Sequence, residues 1–248
     1  MDCRHPYSPV VGTTHWQRPS DPWDAQSTPF HGLINLIRSL SIINRAIHTL
    51  SIQGRVIGVS PSIFGMAAED FRHTSNVFAN LRTLKLTIDD ELVQSWQEDN
   101  LVNGRMARVL RTAPLLECLE MSFIGIDDDE EPLENWSSGR EFDVARDFGT
   151  FTWPHFRHFA LVDCKLQDHH GLAGFLGRHS ASIRSLRLEI LCFQHTRLGD
   201  FYIELRERGV RLDNDGFRGQ SLLDVRWVEV DVGDLVAFLR GNEPNPGL

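Results

Sequence analysis

The chain has 248 residues, 41% of them apolar and 24% charged, enough to build one large core or two small ones. A net charge of −9 argues against a nucleic-acid-binding surface, because polyanions select clustered Lys and Arg. No apolar run approaches the length of a membrane span, and the first residues carry no signal-peptide core.

Residues 1–30 hold five of the eleven prolines and no apolar periodicity, so they read as a flexible Pro-rich arm. Residues 31–248 read as the folded domain. Leu33, Leu36, Ile37 and Leu40 follow the i, i+3, i+4, i+7 spacing of one helix face. Leu50-Ser51-Ile52 then has the apolar-x-apolar form of a strand. A turn-rich link with Pro61 and a mixed segment around Phe71 and Phe78 lead to a second strand core, Leu84-Lys85-Leu86.

Met106, Val109, Leu110 and Ala113 repeat the helical spacing before Pro114, and Leu119-Glu120-Met121 is the third strand core. Residues 125–150 are acidic and poor in apolar residues, and read as a solvated insertion loop. Phe159-Ala160-Leu161 resumes the rhythm. The helix face of Leu172, Phe175, Leu176 and His179 then leads to Leu186-Arg187-Leu188. Leu198, Phe201, Tyr202 and Leu205 give one more helix, and Val228-Glu229-Val230 a weaker sixth strand.

A helix-to-strand unit that recurs five times predicts an α/β fold. The expectation is a degenerate leucine-rich-repeat-like solenoid, with adjacent parallel strands crossing over through helices. The strand cores lie 34, 35, 40 and 27 residues apart, longer than a regular leucine-rich repeat in most units, and a non-solenoid α/β domain stays open. In such a stack the residues between the apolar pairs face outward. Lys85, Glu120, Arg187 and Glu229, with Trp227 as an aromatic anchor, are therefore the candidate protein-binding face. Thr83, Thr87, His158, Ser185 and Glu189 flank it.

The phrase Arg105-Met106-Ala107-Arg108-Val109-Leu110-Arg111-Thr112-Ala113-Pro114-Leu115-Leu116-Glu117-Cys118-Leu119-Glu120-Met121 resembles the repeat region of fungal F-box proteins. So do Leu172–His179 running on to Ile183–Leu188, and the ending Phe238–Pro246. The similarity covers roughly residues 31–248. It implies the substrate-holding part of a cullin-based ubiquitin-ligase receptor. Residues 1–30 hold no F-box module, so docking on the ligase adaptor is not expected, and a truncated remnant is one alternative.

No signature of chemistry stands out. His155, His158, Cys164, His169, His170 and His179 cluster in sequence, but no second ligand pair completes a zinc pattern. The acidic runs Asp127–Glu131 and Asp213–Asp215 miss the calcium-loop positions. A nucleophile elbow and a phosphate-binding glycine loop are both missing. The expectation is a non-catalytic chain without metal or cofactor whose partner is another protein, with an α/β enzyme as the rival reading. Four cysteines (Cys3, Cys118, Cys164 and Cys192) without a C-x-x-C pair fit an intracellular chain, cytoplasmic or nuclear, rather than a secreted one.

Overall fold

A computed structural model describes residues 29–53, 58–59, 61–89, 104–124, 141–166, 168–193, 198–211, 217–223, 226–229, 237–239 and 241. In chain order the elements begin with α1 (Pro29–Ile42), β1 (Thr49–Ile52), a 3-10 turn (Pro61–Gly65), α2 (Ala68–Phe78) and β2 (Thr83–Asp89). Next come α3 (Arg105–Leu110), β3 (Cys118–Ile124), β4 (Glu141–Phe142), α4 (Val144–Phe148) and β5 (His158–Leu166). The last are α5 (His169–Arg178), β6 (Ser185–Phe193), α6 (Leu198–Glu207), β7 (Phe217–Leu223) and β8 (Arg226–Glu229).

The strands form one sheet in the order β1-β2-β3-β5-β6-β7-β8, with β4 beside the end of β5. Every pair is parallel except β7–β8. The five predicted strand cores are adjacent and in sequence order. Leu50, Leu84, Leu119, Phe159 and Leu186 stand directly in line across five strands. Parallel pairing follows from the connections, since a helix lies between successive strands of this run and returns the chain to the same sheet end.

A second apolar row lies three residues earlier. Leu81, Leu116, Phe156 and Ile183 are fully buried, and Ile47 packs against the core in the first unit. Between the two rows the backbone repeats one device. The carbonyl of His48 accepts from the N–H groups of both Arg82 and Thr83. Arg82 does the same for Glu117 and Cys118, Glu117 for Arg157 and His158, and Arg157 for Arg184 and Ser185. Each unit thus seats the next at its strand entrance, which sets the register before the ladder begins.

The helices pack in sequence along the buried side, α1 on α2, α2 on α3, α3 on α4, α4 on α5 and α5 on α6. Arg38 on α1 clamps Asp70 on α2 with two bonds, of 2.5 and 3.0 Å. An aromatic cluster fills the core beside the long β3-to-β5 connection. There Phe148, Trp153, Phe156, Phe159 and Phe175 pack ring against ring around His179. Gly149 closes α4 at φ 76°, where a side chain would meet Ala107 Cβ at 3.0 Å.

The structure corrects the sequence reading at four places. Leu36 is 48% exposed, and Ile34 takes its place beside Leu33 and Ile37 on the buried face of α1. The insertion expected to reach residue 150 gives way earlier. Glu141–Phe148 forms β4 and α4 and buries Phe142, Val144 and Phe148, three apolar residues in a stretch otherwise read for its acids. Residues 125–140 lie outside the described residues, as do residues 1–28 of the expected arm. The sixth predicted strand is not a sixth parallel strand: β8 pairs antiparallel with β7, a strand without an apolar-x-apolar signature. The mixed segment before Leu84 is the regular helix α2, whose buried side includes Asp70 and Thr74 as well as Val77 and Phe78.

Among the described residues, no helix is long and apolar enough to cross a membrane.

Candidate functional site: the open face of the sheet

Alternation along each strand sends one residue to the helix side and the next to the other face. Leu84, Leu86, Leu119, Met121, Phe159, Leu161, Leu186 and Leu188 are all buried. Of the residues between them, Lys85, Glu120 and Arg187 are polar and part-exposed while Ala160 is buried, and the register arranges them in rows. One row reads Ser51, Lys85, Glu120, Ala160, Arg187. The row before it reads Thr49, Thr83, Cys118, His158, Ser185, and the row after it includes Thr87, Ser122 and Val162.

Glu120 is the hub of this face. The Lys85 ammonium lies 2.5 Å from its Oε1, His158 Nε2 lies 3.5 Å from the same oxygen, and Gln53 Nε2 donates to Oε2 at 3.5 Å. Burial pushes the Glu120 carboxyl up, but the Lys85 bond and charge, with His158 and Arg187 beyond, hold it below its ordinary value. His158 Nδ1 is 2.9 Å from Ser185 Oγ, and Thr87 and Ser122 share a hydroxyl bond of 2.9 Å. A shallow groove of about 400 Å³ crosses the strands here, lined by Gln53, Thr87, Glu120, Ser122, Val162 and Arg187 among others.

A thiol, a carboxylate and an imidazole meet in this cluster. Cys118 Sγ lies 3.8 Å from Glu120 Oε1, on the strand beside His158. Burial first, then the Glu120 charge, pushes its thiol up to about 11, so the sulfur is protonated at neutral pH. Burial also pushes His158 below its ordinary value, more than Glu120 raises it. A neutral thiol beside a neutral imidazole is the reverse of a thiolate–imidazolium nucleophile. Cys118, Glu120 and His158 are close enough to hold a metal ion. The Lys85 ammonium already occupies their shared carboxylate oxygen.

Three of the five residues expected on this face, Lys85, Glu120 and Arg187, fall in one row, with Ala160 between the last two. Trp227 and Glu229 sit on β8, opposite Leu222 and Gln220. Their side chains lie outside the described residues. The sequence reading does not place Cys118, Ser122 or Gln53 on this face. Cys118 and Ser122 stand two residues either side of Glu120, so the period-2 rule already held them. Gln53 had no such signal because its strand ends at Ile52.

The chain matches no family model, no curated protein and no solved structure.

Proposed function

We propose that this chain is a non-catalytic protein-interaction scaffold. In this reading it is a degenerate leucine-rich-repeat-like solenoid whose open sheet face holds a segment of another protein. The observation that carries the reading is the row Lys85, Glu120, Ala160, Arg187, aligned on four adjacent parallel strands above an apolar spine. Outward side chains at fixed lateral spacing suit an extended or irregular partner surface, and the groove beside them is shallow and mixed in polarity.

Two further features support the solenoid part. Leu81-x-x-Leu84-x-Leu86, Leu116-x-x-Leu119-x-Met121, Phe156-x-x-Phe159-x-Leu161 and Ile183-x-x-Leu186-x-Leu188 share the apolar spacing of leucine-rich repeats. The carbonyl device at each strand entrance repeats with them. The protonated Cys118 and neutral His158 favour binding over catalysis.

The proposal includes kinship with the substrate-recognition region of fungal F-box ubiquitin-ligase receptors, on the resemblance of residues 105–121 and 172–188. It assigns no residue to a ligase adaptor. The test is affinity purification of the chain beside a variant altered at Lys85 and Arg187, with identification of what each retains.

A further inference from the structure

Away from the open face, a second cluster joins the start of α5 to α6. His169 and His170 open α5 behind the Asp168 cap, whose carboxylate accepts from the Gly171 N–H at 3.1 Å. Glu204 stands on α6, one turn after Asp200. Its Oε2 lies 3.1 Å from His169 Nε2 and 2.7 Å from His170 Nδ1, so two imidazoles from one helix converge on a single carboxylate oxygen of the next. The other oxygen, Oε1, accepts two bonds from Arg208, at 2.5 and 2.8 Å. That clamp holds one carboxylate oxygen and leaves Oε2 to the histidines.

The spacing suits a metal ion. The three ligand atoms lie within 4.8 Å of one another. In a tetrahedral site with bonds of about 2.0–2.1 Å, neighbouring ligand atoms stand roughly 3.3 Å apart. Glu204 Oε2, at 3.1 and 2.7 Å from the two imidazole nitrogens, already stands near that distance from each. His169 is nearly buried, which anchors one side, while His170 is exposed and open to solvent. A depression of about 400 Å³ lies over the cluster, and Asp200 and Glu207 line it as well. Charge distinguishes this cluster from Cys118, Glu120 and His158. There Lys85 holds the shared carboxylate oxygen, whereas here Arg208 holds the other oxygen of Glu204, and Asp200 and Glu207 line the same depression as the histidines. Imidazole and carboxylate ligands together favour zinc and its neighbours over calcium or magnesium.

We propose that His169, His170 and Glu204 bind a divalent cation of the zinc class, with Asp200 or water as the fourth ligand. Arg208 serves as the outer partner that orients Glu204. The cation pins the first turn of α5 to α6.

The test uses the full-length chain, stripped with a chelator and titrated with zinc and, separately, cobalt(II). Heat of binding, thermal melting and the visible absorption of bound cobalt are recorded. One equivalent should bind and raise the melting temperature, and bound cobalt should show the strong visible band of four-coordinate geometry. His170→Ala and Glu204→Gln should each weaken binding more than about tenfold. The His170 change is at an exposed side chain, so the metal-free variant should melt with the wild type. Absence of saturable binding by the wild type would overturn the proposal. So would wild-type affinity in both variants, or loss of binding in Cys118→Ser, which would place the cation on the sheet face.

Discussion

The backbone N–H of Trp153 donates to His179 Nε2 at 3.1 Å, and the two rings stack 5.6 Å apart. His179 Nδ1–H donates in turn to the Phe175 carbonyl at 2.9 Å, so this buried imidazole is used on both sides in its neutral form. Burial pushes its proton affinity down, against the smaller pull of the Phe175 bond. His158 is lowered as well, again first by burial. Below about pH 6.5 the unfolded chain takes up protons on these two residues that the folded chain refuses. Stability is therefore full above that pH and falls as pH drops toward the folded-state values. Melting temperatures from neutrality to about pH 5 should decline along this course. His179→Phe, which cannot titrate, should show a shallower decline from a lower starting stability.

Leu119→Ala should cost about 2–5 kcal/mol, since Leu119 is fully buried at the centre of the spine and its removal leaves a cavity. Leu36→Ala should cost under about 1 kcal/mol, because Leu36 stands half in solvent on α1. Urea denaturation of both variants checks the contrast. Equal losses would mean that the helix or strand phase is misassigned.

Asp147 is fully buried and receives two bonds from Arg146, at 2.9 and 3.0 Å, and one from the Asp143 N–H at 3.1 Å. Arg146→Ala strips the carboxylate of its cation inside the core, and should destabilise the chain by about 1–3 kcal/mol. Replacing both residues, with Asp147→Asn beside Arg146→Ala, should recover part of that loss. Denaturation of the single and double variants measures the recovery.

Lys85→Glu and Lys85→Gln should behave differently. Lys85 meets a Glu120 carboxylate that is only 15% exposed, so a second carboxylate beside it repels in a half-dry setting. The reversal should lower stability by at least about 1 kcal/mol, whereas Gln keeps a donor and costs less. Thermal melts of the two variants decide this, and they also choose the probe for binding work, because a charge reversal here would confuse lost binding with lost folding.

The strand run was legible because period-2 apolar pairs survive in every unit, from Leu50-x-Ile52 to Leu186-x-Leu188. The helix α2 was not, because Asp70 and Thr74 occupy buried positions and break the apolar stripe. The tertiary clamp of Arg38 on Asp70 compensates a carboxylate there. β7 was missed for a related reason: Phe217-Arg218-Gly219-Gln220 holds no apolar alternation, and its pairing with β6 supplies what local pattern lacks. On the open face, the row of Lys85, Glu120 and Arg187 followed from strand phase alone. The pairing of His169 and His170 with Glu204 did not, since the partners lie 34 residues apart between His170 and Glu204 and meet only when α5 packs on α6.

The most direct measurement is paired affinity purification from the source cells, using wild-type chain and the Lys85→Gln, Arg187→Gln double variant at matched melting temperature. Retained proteins are identified and then cross-linked to the chain to map the contact. A protein held by the wild type, lost from the double variant and cross-linked to the open face of β2, β3, β5 and β6 is the predicted result. Equal retention by both chains, or cross-links confined to the helix side, would contradict the account.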